Sequence, residues 1–114
     1  MTYKIFDVVV VPFPFTDHNT DKKRPALVLS DHDIFNEPTQ NCVLTMITSD
    51  RNPDWPLDVK IGSLQKAGLS APSKVRMKIF TLDSRLIIKK IGGLSNKDQK
   101  ILKENLKKLM CLET

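Results

Sequence analysis

The sequence contains little cysteine and little histidine, with two residues of each among 114. Cys42 and Cys111 belong neither to a Cys-x-x-Cys pair nor to any Cys/His spacing typical of zinc binding. The sequence therefore does not predict a structural zinc site, and we interpret both cysteines as small apolar residues in a reducing compartment. We expect no bound metal and no other cofactor.

Long apolar runs are also absent. The longest unbroken aliphatic run covers residues 8–11, whereas a membrane-spanning helix needs about 20 apolar residues. The first residues lead directly into a strand pattern and lack the layout of a signal peptide. We therefore expect a cytoplasmic protein without a membrane partner.

The chain has room for one hydrophobic core but not for two, since it has 114 residues. Its formal net charge of +5 favours an anionic partner such as nucleic acid, although an excess of lysine can also serve solubility alone. The positions of the cations must decide between these two interpretations.

Six short apolar segments, separated by proline, glycine or polar residues, predict β-strands at residues 5–12, 25–30, 41–47, 57–61, 73–82 and 86–91. After Ser95, a typical N-cap residue, apolar side chains recur at helical spacing up to about residue 112. The pattern contains no strand–helix–strand alternation. We therefore predict a single domain over residues 1–114, in which a mainly β, curved antiparallel barrel (about 5–91) precedes one C-terminal helix (about 95–112).

The longest predicted strand alternates sharply between apolar and basic residues. One face carries Val75, Met77 and Ile79, and the other carries Lys74, Arg76 and Lys78. The cations repeat at about 6.6 Å, so a single-stranded nucleic acid could lay successive phosphates along them. The alternative is an ordinary amphipathic strand with a solvated basic face.

A second basic cluster, Lys-Lys-Arg at residues 22–24, directly precedes Pro25. The proline favours an extended Arg24 at the start of the second strand, where its planar guanidinium is well suited to binding a phosphate. The alternative is a surface ion pair of Arg24 with Asp17 or Asp21.

Aromatic and histidine residues provide further candidates. Trp55, in a polar loop between two prolines, is the best candidate for stacking on a base, whereas core packing is favoured for Phe13 and Phe15. His18 and His32 would form a catalytic pair only if both reached one phosphate, and no other sequence feature supports this.

Four segments carry a family resemblance when they are taken together in chain order. They are Asp-Val-Val-Val-Val-Pro at 7–12, Lys-Arg-Pro-Ala-Leu-Val-Leu-Ser at 23–30, Ile-Thr-Ser at 47–49, and the stretch from Ser-Lys-Val to Phe-Thr-Leu-Asp at 73–83. None is decisive alone, but the ordered set resembles the MazF/PemK toxins of type II toxin–antitoxin systems. The resemblance implies a small SH3-like barrel, shared with the CcdB gyrase inhibitors, that forms a two-fold homodimer.

The resemblance also implies an activity, the metal-independent endoribonuclease cleavage of single-stranded RNA. Attack by the 2′-OH would yield a 2′,3′-cyclic phosphate and a 5′-OH. The family's catalytic arginine falls on Arg24 and its catalytic Ser/Thr on Thr48. We assign RNA binding to Lys22, Lys23, Ser49, Trp55, Ser73, Lys74, Arg76 and Lys78. The implied partner is an antitoxin whose acidic tail covers the RNA site, in a complex that binds DNA.

This sequence departs from the family pattern at several positions. Phe6 stands where many members have glycine, Lys78 where many have glutamine, and Phe80 where many have arginine. The first loop, residues 17–21, lacks the usual glycines and glutamate. Because these positions help to shape the RNA groove, the cleavage sequence is not carried over.

Two other functions stay open at this stage. The chain could be a CcdB-like gyrase inhibitor that cleaves nothing, or a non-catalytic nucleic-acid-binding barrel. The pair formed by Arg24 and Thr48 favours the nuclease, which requires both side chains at one phosphate in a cationic channel.

Overall fold

In a computed structural model that describes residues 3–13 and 22–112, six antiparallel strands form one curled sheet, a half-barrel. The strands are β1 (Asp7–Pro12), β2 (Lys23–Val28), β3 (Asn41–Ser49), β4 (Val59–Lys60), β5 (Ser73–Asp83) and β6 (Lys89–Gly93). They lie side by side in the order β4-β5-β3-β2-β1-β6. The α-helices within these residues are α1 (Glu37–Thr39), α2 (Leu64–Ala67) and α3 (Asn96–Met110), and a π-helical turn (His32–Asn36) and a 3-10 helix (Ser84–Leu86) are also present. The predicted class, mainly β with a C-terminal helix, is confirmed.

Some predicted boundaries differ for local backbone reasons. β1 begins at Asp7 because Phe6 has a φ of 72°, in the left-handed region, which interrupts extended pairing. The strand predicted over residues 57–61 is reduced to β4, since Leu57 also has a positive φ of 69°. The last helix ends at Met110, where Cys111 adopts the left-handed conformation.

The sheet buries apolar side chains on both faces. Alternate residues of β1 point to opposite sides, so Val9 and Val11 belong to a first core cluster and Val8 to a second. The second cluster includes Leu102 of α3, and the helix therefore covers that face. Burial on both sides explains why β1 reads as an unbroken apolar run rather than an alternating one.

The start of α3 is fastened to the chain that follows β4. The Ser95 hydroxyl accepts from the Asp98 N–H at 3.2 Å, which confirms the predicted N-cap. The Asp98 carboxylate does not complete a capping box. It instead accepts from the backbone N–H groups of Gly62 and Ser63 at 3.0 to 3.2 Å. This contact sets the position of the helix against the sheet.

Candidate functional site

Arg24 and Thr48 lie on neighbouring strands at the same end of the sheet. The paired part of β2 and β3 ends with Ala26 opposite Met46, and Arg24 and Thr48 each lie two residues beyond that pair. Opposite residues of an antiparallel pair point to the same face. Side chains two residues apart in a strand also share a face, so Arg24 and Thr48, to which the family resemblance assigns catalysis, lie on one face at the same end of the sheet.

The guanidinium of Arg24 is exposed. Its Nη1 donates to the Lys23 carbonyl at 3.2 Å, and its Cζ lies 6.0 Å from the centroid of the Phe13 ring. Among residues 3–13 and 22–112, no carboxylate pairs with it, while Asp17 and Asp21 lie outside that set. Lys22 and Lys23 are exposed beside it. The start of β2 thus presents a cationic surface to solvent.

The hydroxyl of Thr48 accepts a hydrogen bond from Asn52 Nδ2 at 2.6 Å. Asn52 belongs to the β3–β4 loop, which we define as residues 50–58. The Ser49 hydroxyl also supports this turn, since it accepts from the Arg51 N–H at 3.2 Å. Asn52 was not identified from the sequence, where its position four residues after Thr48 is the one available signal.

Lys74 is fully buried, with 0% of its side chain exposed. Its Nζ donates to Asp54 Oδ1 at 2.7 Å and to the Asn52 carbonyl at 2.5 Å, and it lies 3.9 Å from Asp50 Oδ1. The hydrogen bond from Lys74, together with its charge, holds the pKa of the Asp54 carboxyl below its ordinary value. Lys74 therefore fastens the β3–β4 loop to β5.

Arg76, with 9% of its side chain exposed, also binds the β3–β4 loop. Its Nε and Nη2 donate to the two carboxylate oxygens of Asp58 at 3.3 and 2.9 Å, and Nη2 also donates to the Pro53 carbonyl at 2.6 Å. Burial raises the pKa of Asp58, but the hydrogen bonds from Arg76 and from the Trp55 N–H outweigh it and leave that pKa below its ordinary value. The indole of Trp55 lies on the guanidinium, 4.5 Å from ring centroid to Cζ.

The structure corrects the expected row of solvent-facing cations on β5. The alternation itself is confirmed, because Val75 and Met77 pack into the second core cluster on the opposite face. Lys74 and Arg76 are nevertheless covered, since the β3–β4 loop folds over their face and brings its own carboxylates to them. The period of a single strand cannot reveal a neighbouring segment that neutralises its charges.

The remaining predicted RNA-binding residues lie around this loop. Lys78 is exposed, and its Nζ lies 5.8 Å from the Trp55 ring centroid. Trp55 itself is 44% exposed. Ser73 pairs with Ser49 at the end of the β3–β5 ladder, and its hydroxyl donates to the Ala71 carbonyl at 2.8 Å.

The histidine alternative gains no support from the described part of the chain. His32 follows the far end of β2 from Arg24, in the π-helical turn His32–Asn36, with its Nδ1 2.6 Å from Asp33 Oδ1. His18 and Phe15 lie outside the described residues, whereas Phe13 packs against the first core cluster as expected. In the ranges 3–13 and 22–112, no cluster of three His, Cys, Asp or Glu side chains could hold a metal ion, and no helix is long and apolar enough to cross a membrane.

A family model described as PemK-like, MazF-like toxin of type II toxin-antitoxin system matches residues 4–110. That range covers most of the 114 residues. The chain belongs to the PemK/MazF toxin family. No significant match was found among curated proteins.

Solved structures similar to this PemK/MazF toxin share its fold at low sequence identity. A chain of a MazE-MazF crystal structure from Deinococcus radiodurans aligns with a TM-score of 0.77 and 19% identity, covering 99% of both chains. An endoribonuclease in complex with its cognate antitoxin, from a mycobacterial species, aligns with a TM-score of 0.76 and 16% identity, covering 98% of both chains. The Mycobacterium tuberculosis toxin MazF-mt6 aligns with a TM-score of 0.72 and 21% identity, covering 95% of this chain and 99% of that chain.

The positions at which the sequence of this PemK/MazF toxin departs from the expected family pattern differ from one another in backbone conformation and burial. The backbone of Phe6 has a positive φ, a conformation to which glycine is best suited, while its ring is buried in the second core cluster. Phe80 packs partly buried against the first cluster. Of the departures in the described residues, Lys78 is therefore the one that presents its side chain to solvent beside Trp55.

Proposed function

We propose that this PemK/MazF toxin is a metal-independent endoribonuclease that cleaves single-stranded RNA. The observation that carries the proposal is the β2–β3 register, in which Arg24 and Thr48 share one face at one end of the sheet. A guanidinium without a carboxylate partner among the described residues, on the same face and at the same end of the sheet as a hydroxyl, suits a phosphodiester better than it suits a structural role.

RNA supplies its own nucleophile, so the protein has to hold the bond in line and stabilise charge. The 2′-oxygen forms a bond to phosphorus and the bond from phosphorus to the 5′-oxygen breaks. The 2′-OH loses a proton and the 5′-oxygen gains one, which leaves a 2′,3′-cyclic phosphate and a 5′-OH. Arg24 donates to the non-bridging oxygens, where negative charge develops, because a guanidinium offers donors and no acceptor. Thr48 orients the scissile phosphate.

The RNA would lie along the exposed groups around this pair. Lys22 and Lys23 provide cations at the start of β2, and Lys78 provides one beside Trp55. The indole, 44% exposed, offers a surface on which an unpaired base can stack. Ser49 and Ser73, paired at the end of the β3–β5 ladder, follow Thr48 and precede Lys74 by one residue and therefore point to the other face, so this RNA path does not include their side chains.

We also propose that the toxin forms a homodimer and binds an antitoxin. Met110 at the end of α3 and Leu112 just beyond it are exposed, and both line an apolar groove together with Leu29, Val43 and Ile79. A second copy of the chain would cover this surface. Two of the similar solved chains come from complexes with antitoxins, and the net charge of +5 favours a partner with an acidic segment.

The activity is tested by incubating the purified toxin with a long unstructured RNA in the presence of EDTA. We expect site-specific cleavage that primer extension maps, with products that end in a 2′,3′-cyclic phosphate. A 2′-deoxy substitution at the mapped nucleotide should abolish cleavage there, because the nucleophile is removed. Intact RNA together with inhibition of gyrase supercoiling would contradict the proposal and favour the CcdB-like alternative.

A further inference from the structure

The carboxamide of Asn52 determines what the Thr48 hydroxyl can do. Asn52 Nδ2 donates to Thr48 Oγ1 at 2.6 Å. A hydroxyl has one proton, and a hydroxyl that accepts from a neighbour keeps that proton available for a different acceptor. We propose that Asn52 is a positioning residue of the ribonuclease site, which directs the Thr48 proton to a non-bridging oxygen of the scissile phosphate. This inference rests on the proposed function.

The backbone of Asn52 is held from both sides. Its N–H donates to the Ser49 carbonyl at 3.1 Å, and its carbonyl accepts from Lys74 Nζ at 2.5 Å. Ser49 and Lys74 belong to the neighbouring strands β3 and β5, which are themselves paired up to this point. The carboxamide therefore starts from a fixed backbone position and needs little further ordering to reach Thr48.

The two buried cations of β5 complete this support. Lys74 binds Asp54, two residues after Asn52, and Arg76 binds the Pro53 carbonyl and both oxygens of Asp58. A fully buried ammonium with these partners would have to break them in order to reach a phosphate, at a large cost in free energy. Lys74 and Arg76 therefore act on the reaction by holding the β3–β4 loop, and the surface cations make the RNA contacts.

The hydrogen-bond direction assigns Thr48 a donor role on the same face as Arg24. Arg24 and Thr48 then both donate to the phosphate oxygens, where charge accumulates as the phosphorane forms. A Thr48 hydroxyl that instead donated to residue 52 would be unable to do so. The identity of the group at position 52, donor or acceptor, should therefore control the rate of the chemical step.

The test compares Asn52→Ala with Asn52→Asp in single-turnover cleavage with saturating protein. Loss of one positioning hydrogen bond should slow the chemical step about tenfold in Asn52→Ala. Asn52→Asp should be slower still, by about a hundredfold. A carboxylate only accepts hydrogen bonds, so the Thr48 hydroxyl would donate to it instead of to the phosphate. The apparent Kd for RNA should change by less than about threefold for Asn52→Ala. Asn96→Asp, the same change at an exposed position in the first turn of α3, is the charge control.

Trp55 reports whether the loop stays in place in these variants. It is the sole tryptophan and lies in the β3–β4 loop on the Arg76 guanidinium, so its emission should be the same in wild type and both Asn52 variants. A changed emission that accompanies the rate loss would overturn the inference, since loop release would then explain the loss. Asn52→Ala at the wild-type rate, or Asn52→Asp faster than Asn52→Ala, would also overturn it.

These outcomes are distinct from failure of the proposed function. A wild-type protein that leaves RNA intact refutes the ribonuclease and, with it, any role of Asn52 in cleavage. A wild-type protein that cleaves RNA, together with Asn52 variants that cleave equally fast, refutes the role of Asn52 alone.

Discussion

Phe6 combines an unfavourable backbone conformation with a favourable side-chain environment. Its φ of 72° lies in the left-handed region, which costs a residue with a Cβ about 1 kcal/mol relative to glycine. Its buried ring packs in the second core cluster, and Lys103 Nζ lies 5.5 Å from the ring centroid. The packing of the ring outweighs the strain, so a large side chain is kept at a backbone position to which glycine is best suited.

Phe6→Gly should therefore destabilise the protein in spite of the relief of strain. Removal of a buried phenylalanine ring costs about 3–5 kcal/mol, and the backbone returns about 1 kcal/mol. Urea unfolding should show a net loss of about 2–4 kcal/mol by that difference. Phe6→Ala, which loses the ring but keeps the Cβ, should be about 1 kcal/mol less stable than Phe6→Gly. If Phe6→Ala were instead more stable than Phe6→Gly, the claim of backbone strain at Phe6 would be contradicted.

At the scale of elements, the β3–β4 loop and β5 form one unit through two ion pairs. Asp54 binds Lys74 and Asp58 binds Arg76, and both carboxylates come from the loop while both cations come from the strand. No residue of the loop belongs to either core cluster. Its position over the sheet therefore depends on these charges and on the stacking of Trp55 on Arg76.

Asp58→Asn should release part of the loop. The guanidinium of Arg76 would lose its countercharge and become more hydrated, and the Trp55 emission should shift to the red as the indole becomes exposed. The midpoint of thermal unfolding should fall. Asp83→Asn is the matched control, because it breaks an Arg–Asp pair that lies at the surface, with Arg85 81% exposed. A red shift in the control as large as that in Asp58→Asn would contradict the special role of the loop pair.

The same pairs predict how the loop responds to acid. Since the pKa values of Asp54 and Asp58 lie below their ordinary value of 3.8, these pairs stabilise the folded loop above that pH. The stabilisation is lost as the pH falls through the lowered pKa values, when the carboxyls become protonated. Trp55 emission should therefore be constant from neutral pH down to about 5 and should change only below 3.8. A transition centred near pH 6 would point to a histidine and contradict this assignment.

The sequence predicted the elements better than it predicted the contacts between them. The alternation of β5, the N-cap at Ser95 and the closing helix follow from local periodicity, and the structure confirms all three. The burial of Lys74 and Arg76 depends on carboxylates about 20 residues earlier in the chain, and a pattern within one strand contains no information about them. Asn52 was missed for the same reason, because its partner is set by the turn that the loop adopts.

At the scale of the whole molecule, the described chain leaves an apolar surface uncovered at the end of α3. Met110 is 59% exposed at the end of the helix, beside the groove lined by Leu29, Val43 and Ile79. Leu102, on another face of the same helix, is fully buried in the second core cluster. The periodicity that predicted the helix therefore describes two apolar surfaces, one that packs in the core and one that the proposed second copy of the chain would cover.

Met110→Glu should convert the proposed dimer to a monomer without unfolding it. A carboxylate placed in an apolar interface loses its hydration without gaining a partner, so association becomes unfavourable. Sedimentation velocity should show a dimer for the wild type and a monomer for the variant, with unchanged circular dichroism. Ile34→Glu is the control, since Ile34 is an apolar residue that is 81% exposed and lies outside the groove. Persistence of the dimer in Met110→Glu would exclude this surface as the interface.

The ribonuclease account is tested most directly by the cleavage rate of Arg24→Ala on a long unstructured RNA in EDTA, beside the wild type and Lys23→Ala. Removal of one donor to the developing charge should slow Arg24→Ala by a factor of about 10² to 10³ or more, while its circular dichroism and unfolding midpoint stay unchanged. Lys23→Ala, which removes the adjacent exposed cation, should retain most of the chemical rate. A folded Arg24→Ala that cleaves RNA as fast as the wild type would contradict the account.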